Sequence, residues 1–219
     1  MISSRITMLQ KLSAEIDTYS PLIIYGNAGM GKSYFARELC ERLCQTGRIE
    51  NYRIYPTWEF INTMIEALSN QGRASWRDNF IAYDLIVIDD YQYFSGKSAS
   101  AEELYHILSA MEVPVIITTS APIWEVDVAC DELTAYLSAG AVVNLNDTCS
   151  ADSAEYLHHF LQDNAIRLTT ETVDWLLRQH IPSLAVVKGI VRTLELYQEK
   201  TDLPMDIAEC QRILAPLFS

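Results

Sequence analysis

Eight consecutive residues, Gly26-Asn27-Ala28-Gly29-Met30-Gly31-Lys32-Ser33, follow the spacing G-x-x-x-x-G-K-[ST]. Glycines at the turns of such a loop let successive backbone N–H groups point inward at phosphate oxygens. A helix starting straight after the loop adds the positive end of its dipole. In that arrangement Lys32 reaches the terminal phosphates and the Ser33 hydroxyl ligates Mg²⁺, so the cofactor-binding run is expected over Gly26–Ser33 and on to Tyr34. The second half of the site should be acidic, at the end of a buried strand. Leu85-Ile86-Val87-Ile88-Asp89-Asp90 fits that requirement. Asp89 is expected to hold Mg²⁺ directly or through water. Asp90 is expected to orient or activate the attacking water, and Lys32 to act beside it. Two acids after a strand are on their own a common turn signal; the phosphate loop makes them half of a site for ATP or ADP.

These residues need a strand before the loop, a helix after it and a buried strand ahead of the acids. The β-prone run 21–25 stops at Gly26, and 32–43 continues with Phe35, Leu39 and Leu43 at helical spacing. Ahead of both, 4–16 repeats Ile6, Leu9, Leu12 and Ile16 as an amphipathic helix. Alternation continues with strands over 52–55, 85–88, 113–119 and 141–145 and helices over 58–68 and 101–111. Ser100 and Glu103 are read as a capping box for the latter. Strands separated by helices predict a five-stranded parallel sheet, covered on both faces and joined by right-handed crossovers. After Leu145 helical periodicity takes over, over 151–163, 171–179, 184–198 and 204–214, with Asp202 just ahead of the last helix and Pro204 in its first turn. The expected division is a three-layer αβα nucleotide-binding core over 1–146 and a small all-α lid over 147–219.

Composition narrows the partners. With 49% hydrophobic and 21% charged residues among 219, the chain can fold throughout, and no long disordered tract is expected. A formal charge of −13 opposes tight attachment to nucleic acid, so any DNA contact is expected to be weak and not sequence-specific. No apolar stretch approaches the roughly 18 residues that cross a bilayer. The N-terminus lacks the apolar core of a secretion signal, so a cytoplasmic, membrane-free location is expected. Cys40, Cys44, Cys130, Cys149 and Cys210 show neither zinc-site spacing nor an even framework, and are read as reduced thiols. His158 and His159 are adjacent and face different sides of a helix, which disfavours a shared metal.

Tyr19-Ser-Pro-Leu-Ile-Ile-Tyr-Gly26 with the phosphate loop, and Ile88-Asp-Asp-Tyr-Gln-Tyr-Phe-Ser-Gly-Lys97, together resemble the ATPase domain of the bacterial replication initiator DnaA, an AAA+ protein. The segment from Trp58 through Phe80, Tyr83 and Asp84 is similar to that family's extra helical hairpin, and 203–214 to the end of its lid. The resemblance implies an AAA+ core with a four-helix lid and a role in starting or regulating DNA replication, or in helicase loading. Partners would be an initiator, a helicase or related AAA+ subunits, with self-association possible in principle. The family's DNA-reading domain would follow the lid, whereas this sequence stops at Ser219, so origin recognition is not expected from it. In that respect it is similar to short DnaA-related regulators or loaders.

Departures from the family pattern carry their own expectations. Tyr136 stands where the family has its trans-acting arginine finger, Ser120-Ala121 where it has Asp-Arg, and Ala185 where it has the lid's sensor arginine. A neutral phenol cannot offset phosphate charge, a contribution worth about 10³-fold or more where it operates. Lys188, one turn on from Ala185, is the nearer replacement cation, and Arg192, seven residues on from Ala185, lies roughly 10 Å along the helix from it. The resulting expectation is ATP binding with slow hydrolysis. The alternatives are a non-hydrolysing, nucleotide-bound adaptor and a transposition helper ATPase of the helicase-loader type. Trp76 and Arg77 are expected to pack within the hairpin rather than to form a platform for single-stranded DNA. Gln211, Leu214, Leu217 and Phe218 only loosely resemble a sliding-clamp-binding tail.

Overall fold

A computed structural model describes residues 5–69, 72–147, 156–158, 160–162, 164–179, 181, 183–198 and 204–215. Cys149, His159, Asp202, Leu217 and Phe218 lie outside them. The chain divides into two compact units, Ile6–Ala28 with Lys32–Asn146, and Asp147–Ser219 with Gly29–Gly31 and Met1–Arg5.

The first of these units is built on β1 (Leu22–Tyr25), β2 (Arg53–Pro56), β3 (Ile86–Asp89), β4 (Val115–Thr119) and β5 (Ala141–Asn144). They form one five-stranded sheet in the order β2-β3-β4-β1-β5, every pair parallel. Register aligns their C-terminal ends, with Tyr25 beside both Thr119 and Asn144, and Pro56 beside Asp89. Apolar residues on both faces explain why the central strands are buried except at Tyr25 and Asp89, the last residues of β1 and β3. Ile23, Ile86, Ile88, Val115 and Ile117 pack with α4 (Thr57–Ser69), α5 (Arg73–Ile81), α6 (Ser98–Ala110) and α7 (Asp131–Ser138). The alternate residues Leu22, Ile24, Val87 and Ile116 are also fully buried. α3 (Lys32–Gln45) meets β1 and β4, burying Phe35, Leu39 and Leu43. The expected αβα layering is therefore observed.

Several local expectations need correction. The helix at the start is two pieces, α1 (Arg5–Ala14) and α2 (Ile16–Tyr19). α6 begins at Ser98 with Lys97 as its N-cap, so Ser100 lies inside the helix rather than capping it. Glu103 is 3% exposed and gives both carboxylate oxygens to Arg77, one Nη2 contact being 2.8 Å. A tertiary ion pair thus takes the side chain that the local pattern assigned to a cap. Trp76 packs edge-on to Phe60 and Phe80, with ring centroids 5.2 and 5.0 Å away. Such pairs contribute about 0.5–1.5 kcal/mol beyond area burial, which accounts for its place in the hairpin.

The second unit is helical: α8, whose described residues are 156–158 and 160–162, then α9 (Thr170–Leu177), α10 (Leu184–Tyr197) and α11 (Ile207–Leu214). Thr169, Ser183 and Asp206 cap the last three, each accepting a backbone N–H through its side chain. Pro204 therefore precedes α11 instead of occupying its first turn. Met205 is held as an extended residue by a parallel bridge to Leu168. Leu157, Leu161, Leu176, Val187, Ile190, Leu194 and Leu214 supply the buried apolar side chains. Among the described residues no helix is long and apolar enough to cross a membrane.

Candidate functional site

β1 ends by handing the chain into the glycine-rich loop, where the Gly26 N–H still donates to the Thr119 carbonyl at 3.3 Å. The turn back toward α3 requires φ of +82° at Gly29 and +81° at Gly31, a region that side-chain-bearing residues rarely enter. A Cβ on Gly31 would stand 2.5 Å from Leu184 Cδ1. The loop's tip is held at Gly29, whose carbonyl accepts the Ala185 N–H at 3.2 Å.

Lys32 opens α3 and is 8% exposed. Its Nζ donates to the carbonyls of Gly26 at 2.9 Å and Asn27 at 3.3 Å, so the ammonium is folded into the loop. Burial lowers its pKa below the ordinary lysine value, while the charges of Asp90 and Asp89 oppose that shift. The next residue, Ser33, donates through its Oγ to Asp89 Oδ1 at 2.9 Å. Asp89 is the last residue of β3, and its carboxylate also accepts from the Thr118 hydroxyl of the neighbouring strand. Its carbonyl is held by Thr57 Oγ1 at 3.0 Å from the start of α4. The structure thus brings Lys32, Ser33 and Asp89 to one end of the sheet. Hard oxygen donors such as the last two suit Mg²⁺.

Asp90 follows in a left-handed backbone conformation, φ 61°. Its N–H donates to Thr118 Oγ1 at 2.9 Å. Thr118, Thr57 and Asn146 are residues that the motifs did not single out as part of a site. Asn146 Oδ1 accepts the Asn27 N–H at 2.8 Å, so that loop amide already has a side-chain acceptor. A polar residue at the end of each neighbouring strand was the available signal; which ends become neighbours depends on strand order. Ala28 is exposed and Met30 half-buried in the loop, and Tyr34 is half-buried in the first turn of α3.

The departed positions are placed as follows. Tyr136 lies half-buried against the core, its ring edge-on to Tyr105 at 6.5 Å, and burial raises its phenol pKa. Ala185 contributes its backbone N–H, as above. Lys188 Nζ lies 5.8 Å from the centroid of the Phe160 ring within the helical unit, and Arg192 is exposed on α10.

Comparison with known proteins follows the same outline. Residues 5–144 match the family model described as the bacterial DnaA ATPase domain. The chromosomal replication initiator protein DnaA of Lactiplantibacillus plantarum is 22% identical over 190 residues, 85% of this chain but 42% of that protein. The chain therefore spans less than half the length of that relative. Domain III of the Thermotoga maritima replication initiation protein DnaA superposes with a TM-score of 0.84 at 19% identity, covering 97% of this chain and 90% of that one. AMPPCP-bound DnaA from Aquifex aeolicus gives a TM-score of 0.72 at 20% identity, over 87% of this chain and 60% of that one. At these identities the superpositions establish the fold, and the match of the family model over most of the sequence places this chain in the bacterial DnaA ATPase domain family.

Proposed function

We propose that the chain binds ATP with Mg²⁺ in the loop from Gly26 to Tyr34 and acts through protein partners in starting DNA replication, regulating that start or loading a helicase. The observation that carries this reading is the Ser33–Asp89 contact, a hydroxyl and a carboxylate at 2.9 Å directly beside the buried Lys32. Bound Mg²⁺ would supply positive charge against the phosphate oxygens. Ser33 and Asp89 would hold it, Lys32 would take the terminal phosphates, and Asp90 would orient water. Among the described residues no group of three or more His, Cys, Asp or Glu is arranged as a metal cage. That agrees with Mg²⁺, which takes one or two protein oxygens and fills the rest from phosphate and water.

The family relationship supports the replication role, and the AMPPCP-bound DnaA of Aquifex aeolicus supports an adenine nucleotide as ligand. Residues 1–146 would form the nucleotide-binding core and 147–219 its lid, in the cytoplasm, with initiator, helicase or related AAA+ subunits as partners. DNA contact would be weak, given the charge of −13. Tyr136 and Ala185 lack the positive charge that speeds hydrolysis, so turnover by the isolated chain would be slow. Calorimetry with Mg-ATP and a single-turnover assay test both parts. No heat with any nucleotide would overturn the binding, and rapid turnover lost in Lys32→Ala would overturn the slowness.

The second reading is a non-hydrolysing adaptor whose nucleotide is structural. The packing of the half-buried Tyr136 ring against the core favours it. Purified protein that retains ATP unchanged with partner and DNA present would decide for it.

A further inference from the structure

Asp90 takes a backbone conformation rare outside glycine, φ 61° and ψ 51°. Its N–H donates to Thr118 Oγ1 at 2.9 Å and its carbonyl accepts from the Tyr93 N–H at 3.1 Å, which holds the backbone. The carboxylate has a separate tether. Asp90 Oδ1 accepts from Gln92 Nε2 at 2.9 Å, and Gln92 Oε1 accepts the Ser120 N–H at 3.1 Å. A backbone N–H can only donate, and an amide carries its donor and its acceptor on different atoms. The Ser120 contact therefore fixes which end of Gln92 faces Asp90.

We propose that Gln92 is a positioning residue for Asp90, tying its carboxylate to the chain leaving β4. The proposal rests on reading Asp90 as the group that orients water, and it deepens that reading. Gln92 is half-buried in the 3₁₀ turn Tyr91–Phe94 and has no hydrogen bond to the phosphate loop. Its side chain therefore acts on the Asp90 carboxylate and on the Ser120 amide that anchors it. β4 then holds both acids, Asp89 through the Thr118 hydroxyl and Asp90 through Gln92 and Ser120. Glutamate could keep the bond from Ser120 but would set a second negative charge against Asp90. Methionine would keep the length and lose both bonds.

The experiment compares Gln92→Met and Gln92→Glu with the parent chain by Mg-ATP calorimetry, single-turnover hydrolysis of radiolabelled ATP and denaturant unfolding of the nucleotide-free protein. Expected is nucleotide affinity near that of the parent together with a rate about tenfold to a hundredfold lower, the loss that a misplaced orienting group causes. In unfolding, Gln92→Glu should lower the midpoint, and the double variant Asp90→Asn with Gln92→Glu should recover most of that loss, since the donor then sits on residue 90. An equal loss from Gln92→Glu in the Asp90→Asn background overturns the tether. An unchanged rate in Gln92→Met, where the parent hydrolyses, overturns the positioning role. Where the parent binds Mg-ATP without turnover, or binds none, the reading of Asp90 fails with the positioning role built on it, and the unfolding cycle still decides the tether.

Discussion

The Ser33 hydroxyl and the Asp89 carboxylate meet at 2.9 Å although 56 positions separate them in sequence. β1 reaches β3 only across the intervening β4, and the loop after β1 brings Ser33 back over the ends of both strands. Asp89→Asn keeps the shape of this contact and removes the charge. It should reduce the gain in ATP affinity that Mg²⁺ provides, by about tenfold to a hundredfold for one charge-assisted ligand. Lys32→Ala should weaken binding with or without the metal. Calorimetry with ATP in Mg²⁺ and in EDTA separates the two effects.

Burial lowers the Lys32 pKa, so between that lowered value and the unfolded one of about 10.4 the unfolded chain binds more protons than the folded chain. Stability from this group therefore rises with pH across that window, and the cost of burying the charge is fully present below it. Urea unfolding of the parent and of Lys32→Met at several alkaline pH values should show the parent gaining on the variant as pH climbs.

Gly31→Ala places a methyl where φ is +81° and where Leu184 Cδ1 would be 2.5 Å away. The backbone conformation alone costs about 1–2 kcal/mol. A fall in melting temperature of roughly 2–8 °C is expected for a chain of this length. Differential scanning calorimetry of the nucleotide-free protein measures it.

Cys40 is fully buried on α3, and burial pushes its thiol pKa up to about 12. A thiol held neutral and covered is inert, because the thiolate is the nucleophile. Iodoacetamide at pH 8 should leave Cys40 unlabelled in the native protein and label it in denaturant, as read by peptide mass spectrometry.

Tyr136→Arg restores the family's cation in sequence but inserts a guanidinium where a half-buried ring packs on the core near Tyr105. It should cost about 1–3 kcal/mol in stability. The single-turnover rate of the isolated chain should not rise, since such an arginine acts on a neighbouring subunit's phosphate. Denaturant unfolding and single-turnover kinetics check the two outcomes.

The parallel sheet was legible because most of its strands are apolar runs bounded by turn residues, a local pattern, and β2, which opens on the exposed Arg53, is the exception. Capping chemistry was legible only where nothing distant competed. Ser100 and Glu103 have cap spacing, yet Arg77, 26 positions before Glu103, takes the carboxylate. Pro204 suits a first helical turn, yet Asp206 caps α11 and Met205 pairs with Leu168. α7 spans only eight residues, Asp131–Ser138, too few for its apolar residues to mark a helix by periodicity.

Residue types and spacing by themselves determined a glycine-rich loop with phosphate-binding spacing, a following helix and a pair of acids after a buried strand. Tertiary structure decided which groups surround those acids. Thr118 reaches Asp89, and Ser120 reaches Asp90 through Gln92, because β4 lies beside β3 in the sheet. Asn146 reaches Asn27 because β5 lies beside β1. The reason is range: hydrogen bonds act over about 3 Å, and strand order alone brings residues far apart in sequence within that distance.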